Sequence, residues 1–301
     1  MFEQLGLIGC GLMGGSFALA LKRAGLVKRV VGYSKSPSTT ERAHQLGVID
    51  AQAPSALQAV SGSDVVLLAV PVAATESTFK AIRHLLTRDM LVMDVGSTKH
   101  DVVETARRVL GDQIGAFVPC HPIAGKESAG VIHATPDLYR DHHVVITPIE
   151  RTGVAQLNQA QAVWEAIGSR VHLMSPQAHD AALAAVSHLP HLVAFAAVDA
   201  IRQQPQGRDF LGLAGPGFRD YTRIAASDPQ VWRDILLANR QEVLTQSRLM
   251  RERLDAFEQA MQAGDGAALE DMIRAVRDVR AGEGGAAGVR GGPRELRPTR
   301  H

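Results

Sequence analysis

Cysteine is scarce in this chain: Cys10 and Cys120 are the only two among 301 residues, and neither stands in a C-x-x-C pair. That usage excludes a disulfide framework and fits a reducing cytoplasm. A surplus of charge is missing as well, because 32 Lys and Arg stand against 31 Asp and Glu, a formal net charge of +1 with no concentrated basic block in the folded part. Nucleic acid and membrane surfaces are therefore not expected partners. No apolar run reads as long enough to span a bilayer, and the first strand begins within a few residues of Met1, leaving no space for a signal peptide. What remains is an ordinary globular composition, 46% hydrophobic and 21% charged, in a chain long enough for two domains with cores. A cytoplasmic protein acting on a small molecule is the expectation.

Glycine is placed with more purpose. Leu5 to Ile8 reads as a short apolar strand, and Gly9, Gly11 and Gly14 follow in G-x-G-x-x-G spacing before a helix expected over Ser16 to Ala24. The first glycine permits a tight turn, the second lets backbone approach a pyrophosphate, and the third lets helix and strand pack closely. Leu12 and Met13 lie inside this loop, and the helix that follows offers free N–H groups and a favourable dipole to phosphate. Strands are expected at Arg29 to Ser34, Ser63 to Pro71, Met90 to Val95, Phe117 to Cys120, Val144 to Pro148 and Arg170 to Met174, with helices at Ser38 to Leu46 and Val154 to Ile167. Near-continuous apolar runs of strand length require burial on both faces. The expected fold class is α/β, a doubly wound Rossmann sheet over residues 1–174, with Val70 and Pro71 at the cofactor side.

From Ser175 the pattern turns helical. Ser175-Pro176 is an N-cap with proline at the first helical position, and helices are expected over Ala178 to Val186, Leu192 to Arg202, Val231 to Met261 and Ala267 to Arg280. This second, all-helical domain, 175–281, has apolar faces in excess of one small bundle, which predicts a homodimer through them. Residues 282–301, rich in Gly, Pro and Arg, read as a disordered tail. With the dinucleotide loop at the start and so short a tail, no fused mutase and no separate amino-acid-sensing domain is expected.

Ligands of an open parallel sheet sit at the carboxyl ends of its strands, where Ser97, Lys99 and His121 fall. His121 belongs to the segment CHPIAGKE, in which Pro122 is read as fixing a turn and Gly125 as allowing unusual backbone angles. An imidazole takes a proton near neutral pH without extreme tuning, so it suits a general base. Ser97 has a bland reading as a helix cap. His188 and His191 are spaced for a metal on one helical turn, but Pro190 between them is read as breaking the helix and no supporting ligand lies nearby, so no metal is expected. Arg219 and Arg223 follow a glycine-rich bend, and guanidinium forks match carboxylates.

The segments HPIAG at His121, MSPQAHD at Met174, SHLPH at Ser187, GFRDYTR at Gly217 and SDPQVWRD at Ser227 closely resemble the prephenate and arogenate (cyclohexadienyl) dehydrogenase family of tyrosine biosynthesis, over nearly the whole chain to about Arg280. The resemblance implies that His121 is the catalytic histidine accepting the substrate's hydroxyl proton and that Ser97 contacts the same hydroxyl. It implies Arg223 as the ligand of a substrate carboxylate and His191 as a contact of the pyruvyl side, with Ser187 beside it. Glu127 and Asp220 match acidic residues at the pocket mouth, and Trp232 a pocket-lining tryptophan. His179 and His188 are assigned to structure. The implied reaction is oxidative decarboxylation of prephenate to 4-hydroxyphenylpyruvate, with arogenate as a second substrate, by a dimer joined through its helical domain. A related two-domain hydroxy-acid or imine dehydrogenase and a non-catalytic dinucleotide sensor are the alternatives.

The cofactor reading departs from the NAD pattern. An acid is normally found at the end of the second strand, where it meets the ribose hydroxyls. Here that place holds Ser34, followed by Lys35, Ser36, Ser38, Thr39, Thr40 and Arg42. A hydroxyl and a lysine would bind a 2′-phosphate that a carboxylate repels, so NADP is favoured, with NAD still accommodated. Ser36-Pro37-Ser38 has the alternative reading of a helix cap.

Overall fold

A computed structural model describes residues 1–125 and 128–286. Contacts divide the chain into two units, Met1–Gln246 and the part from Ser247 onward. In the first unit, β1 (Phe2–Ile8), α1 (Leu12–Arg23), β2 (Val27–Tyr33), α2 (Pro37–Gln45), β3 (Ala51–Gln52), α3 (Ala56–Val60), β4 (Val65–Leu68), α4 (Thr75–Ile82), β5 (Leu91–Asp94), α5 (His100–Leu110) and β6 (Phe117–Val118) follow in order. The strands form one six-stranded sheet in the order β3-β2-β1-β4-β5-β6, every pair parallel. The doubly wound Rossmann-like fold expected from the apolar runs is present.

Alternation within those runs supplies both faces of the sheet. Val65, Leu67, Leu91 and Met93 belong to one buried cluster with Phe17 and Trp164, while Val66, Leu68 and Val92 belong to another with Phe79 and Ile82. Successive side chains point to opposite faces, so a strand covered by helices on both must be apolar throughout. Each such side chain, fully buried, stabilises the fold by about 1.5–3 kcal/mol.

Several local expectations are corrected. Helix α1 begins at Leu12, one turn before the expected Ser16, because Gly11 is already its N-cap. The strand expected over Phe117 to Cys120 splits: β6 ends at Val118, and β7 (Cys120–Ile123) joins β8 (His143–Ile146) and β9 (Arg170–Leu173) in a separate three-stranded sheet. There β7 pairs antiparallel with β8, and β8 parallel with β9, while α6 (Val154–Ala166) lies between β8 and β9 in sequence. Pro122 therefore sits inside a strand, paired with Val144, and not in a turn. Because β7 is an edge strand, the missing N–H is tolerated. Gly125 is not among the glycines with positive φ, so no unusual backbone angle is used there.

Helical structure follows in α7 (Pro176–Leu183), a wide π-helical turn (Ala184–His188) and α8 (Leu189–Arg202). Pro190 does not break it. It falls in the first turn of α8, directly after the wide turn, where a missing N–H costs little. The unbroken stretch Pro176–Arg202 has 27 residues and a mean hydropathy of 1.7 in its most apolar window, so by length and composition one helix is long and apolar enough to cross a membrane. That corrects the expectation of none. Helices α9 (Gly207–Gly212), α10 (Pro216–Thr222) and α11 (Pro229–Ala238) come next. The single helix expected over Val231 to Met261 is two, because Asn239 leaves the helical path between α11 and α12 (Arg240–Gln262).

The second unit holds the C-terminal part of α12 and α13 (Gly266–Ala286), joined through Gly264 at φ 64°. Asp265 caps α13 by accepting the Ala268 N–H at 2.9 Å. Leu249, Leu254, Met261, Ile273, Val276 and Val279 are exposed on these helices. Helix α13 runs past the expected end at Arg280 and into the segment read as tail, while 287–301 lie outside the described residues.

Candidate active site

The glycine loop is built as its spacing requires. Gly9 has φ +98°, and a Cβ there would lie 2.1 Å from the Ala69 carbonyl oxygen. A Cβ on Gly14 would meet the Gly9 carbonyl oxygen at 2.0 Å, so only glycine lets α1 pack onto the end of β1. Around Gly11 a Cβ would meet nothing within 4 Å. The turn is thus closed at its first and third glycines and open at the second. No side chain caps α1 and no acid stands in its first turn, which leaves N–H groups and the positive end of the helix dipole to an anion. These residues fit the pyrophosphate of a dinucleotide. Tyr139, buried against Phe17 and Trp164, steadies the loop by donating its hydroxyl to the Met13 carbonyl at 2.6 Å.

At the end of β2, the Ser34 hydroxyl accepts the Cys10 N–H at 2.8 Å and the Ser34 N–H donates to Thr40 Oγ1 at 3.0 Å. Ser34 thereby ties the glycine loop to β2. Ser36 occupies the N-cap position of α2, but its side chain makes no capping bond. Lys35 is exposed. Burial pushes the Cys10 thiol up to about 11, so it is an inert packing group rather than a nucleophile.

Between β5 and α5 the chain is held by a buried ion pair. The Lys99 ammonium donates to Asp94 Oδ2, with Lys99 wholly buried and Asp94 at 3% exposure. Asp94 also accepts the Gly96 N–H at 2.9 Å and, through Oδ1, the Cys120 N–H at 2.9 Å. One carboxylate therefore links the loop bearing Ser97 to the strand bearing His121. Helix α5 takes Lys99 as its N-cap, with no side-chain capping bond. Ser97 is not that cap.

His121 keeps 9% of its surface accessible. Its Nδ1 lies 2.8 Å from His179 Nε2, and His179 Nδ1 lies 2.7 Å from Asp180 Oδ1. Asp180 accepts the backbone N–H groups of Lys99 at 2.8 Å and His100 at 2.9 Å. Burial holds His121 well below its ordinary value, helped by the charges of His179, Lys99 and His188; it stands neutral at pH 7. Burial also lowers His179, against the opposing hydrogen bond to Asp180. For Asp180 burial works upward, yet the bonds from His179, His100 and Lys99 outweigh it and leave the carboxyl below its usual range. His188 is buried, accepts from Asn239 Nδ2 at 3.1 Å, and is pushed down by burial to about 4. The same amide donates to the Asp180 carbonyl at 2.7 Å.

One cavity of about 530 Å³ is lined by Gly11, Leu12, Met13, Val70, Pro71, Ser97 and Trp232, among others. Residues expected at the cofactor meet Ser97 and Trp232 there, while His121, Ser187, His191 and Arg223 are not among its lining residues. His191 is half-buried, donates Nδ1–H to the Ser187 carbonyl at 2.9 Å and stacks on Trp232. Arg223, exposed after α10, is close enough for its charge to lower His191, behind the larger effect of burial. Asp220 is exposed on α10 and does not line the cavity. Glu127 lies outside the described residues. Reading the sequence missed the contact of His179 with His121 and the roles of Asp180, Asp94 and Asn239. The adjacent His-Asp pair in MSPQAHD was the available signal.

Residues 17–173 match the family model for the prephenate dehydrogenase nucleotide-binding domain, and residues 175–275 that for the prephenate dehydrogenase dimerization domain. The chain belongs to the prephenate dehydrogenase family. Its relatives include a cyclohexadienyl dehydrogenase of Zymomonas mobilis, 36% identical over 79% of this chain and 82% of the relative. A prephenate dehydrogenase of Bacillus subtilis is 33% identical over 94% of this chain and 76% of its own length. Among solved structures, prephenate dehydrogenase from A. aeolicus in complex with hydroxyphenyl propionate and NAD+ superposes with a TM-score of 0.87 at 36% identity, covering 93% of this chain and 98% of that one. In this prephenate dehydrogenase family member the first model match starts just beyond the glycine loop.

Proposed function

We propose that the chain oxidises and decarboxylates prephenate to 4-hydroxyphenylpyruvate, with a nicotinamide dinucleotide as oxidant. The observation that carries this reading is a cavity in which the glycine loop meets Ser97 and Trp232. Prephenate presents a ring carbinol and two carboxylates. The nicotinamide, when bound, supplies the acceptor for the hydride that leaves the carbinol carbon; loss of carbon dioxide across the ring then makes the ring aromatic.

His121, neutral and buried, accepts the hydroxyl proton as the C–O bond gains double-bond character, and returns it to the phenolate oxygen of the product. No net proton is released. Ser97 orients the same hydroxyl, Arg223 binds a carboxylate, and His191 with Ser187 holds the pyruvyl side. Trp232 walls the pocket. The absence of an acid at Ser34 and the exposed Lys35 support NADP as the preferred cofactor, with NAD also used. Similarity of residues 175–275 to a dimerization domain supports a homodimer through the helical part, and the two separate cysteines support a cytoplasmic location.

The test is absorbance at 340 nm with purified protein, prephenate and each nicotinamide cofactor in turn, with arogenate as the second substrate. His121→Asn is expected to lower turnover about 10²–10⁴-fold with cofactor and substrate binding nearly unchanged. Turnover near wild type in that variant, or oxidation of arogenate but not of prephenate, would overturn the reading.

A further inference from the structure

A neutral imidazole has one N–H and one lone pair, so a hydrogen bond at one nitrogen decides what the other can do. Asp180 is an ionised acceptor, already taking the Lys99 and His100 N–H groups at 2.8 and 2.9 Å. Facing it at 2.7 Å, His179 Nδ1 must donate. His179 Nε2 then carries the lone pair, and His121 Nδ1, at 2.8 Å, must donate to it. The reverse tautomer of His121 would set two lone pairs against each other in a wholly buried contact, a costly arrangement.

We propose that His179, oriented by Asp180, is a positioning residue that holds His121 in the tautomer whose Nε2 is free to accept the substrate's proton. The inference rests on His121 being the proton acceptor of the proposed reaction. Asp180 is itself anchored by the start of α5, and Asn239 holds the backbone of Asp180 through its carbonyl. When Nε2 takes the hydroxyl proton, His121 becomes a cation whose Nδ1–H bond to His179 turns charge-assisted and strengthens. The stabilisation therefore grows as charge develops in the transition state. The groups that face this pair are Asp94 and Lys99 from the end of β5 and the loop after it, Asp180 from α7, and His188 from the π-helical turn.

The experiment combines ¹⁵N-imidazole NMR of the full-length wild-type enzyme at neutral pH with kinetics of His179→Gln, His179→Leu and His121→Asn. Wild-type His121 is expected to be protonated at Nδ1 and bare at Nε2. His179→Leu should shift that population toward Nε2–H and lower kcat about 10²–10³-fold, with substrate KM and cofactor affinity within about twofold. A glutamine amide can accept from His121 and donate to Asp180, so His179→Gln should stay within about tenfold of wild type. An Nε2-protonated His121 in the wild-type spectrum, or equal losses in the Gln and Leu variants, would overturn the proposal. The spectrum needs no variant to fold. If His121→Asn keeps its turnover, the assignment of the base itself has failed; if it loses turnover while His179→Leu does not, only the role of His179 has.

Discussion

The His191 imidazole lies flat on the Trp232 indole, ring centroids 3.5 Å apart and planes 20° from parallel. His188 and Phe195 meet the same indole at steep angles, each with its centroid 6.1 Å away. Trp232 lines the cavity and the only other tryptophan, Trp164, is fully buried beneath α1. Ligand-induced change in tryptophan fluorescence should therefore vanish in Trp232→Phe and persist in Trp164→Phe. Loss of the stack in Trp232→Leu should raise the substrate KM about 3–10-fold, the equivalent of about 0.5–1.5 kcal/mol. An unchanged KM would remove Trp232 from the substrate's surroundings.

Asp94 holds a buried ammonium and two backbone N–H groups at once. Asp94→Asn leaves the Lys99 charge without its counterion, and breaking a buried pair in this way costs about 3–5 kcal/mol. Equilibrium denaturation in urea should show that loss as a lower midpoint with an unchanged slope. A loss under about 1 kcal/mol would mean that water reaches Lys99 in the variant.

The cofactor's 2′-position can be probed at the end of β2. Lys35→Ala should lower kcat/KM for NADP about tenfold, as expected for a hydrogen bond to a charged group, and leave kcat/KM for NAD unchanged. Ser34→Asp should shift preference toward NAD, since a carboxylate can still accept the Cys10 N–H while repelling a phosphate. Wild-type preference for NAD, or no shift in Ser34→Asp, would show that other residues read this position.

Acid should destabilise the fold through its buried histidines. His121, His179 and His188 are all lowered chiefly by burial, His188 to about 4 from 6.5. Below pH 6.5 the unfolded chain binds protons that the folded chain refuses, so stability is full above that pH and falls as pH drops toward the folded values. For His188 the full effect is about 3 kcal/mol. Tm measured from pH 7.5 to 4.5 should fall steadily below about 6.5, and His188→Gln should flatten the fall. A flat wild-type profile over that range would contradict the burial of these rings.

Local pattern determined the parallel sheet, because each residue of Val65–Leu68 and Leu91–Asp94 that faces a helix layer must be apolar, and that requirement is written in consecutive positions. The glycine loop was legible from its spacing: the clearance at Gly14 is against the carbonyl of nearby Gly9, whereas the one at Gly9 is against Ala69, which only the fold brings there. The tertiary structure alone decided that β7 leaves the sheet at Pro119, since a strand of four residues carries no mark of which neighbour it will pair with. It also decided that Pro190 sits harmlessly in a helix, through a wide turn that periodicity does not announce. Above all, it brought His179 to His121 across 58 residues of sequence. Residue type marks each imidazole as a proton carrier, but which nitrogen carries the proton depends on a partner that only folding supplies.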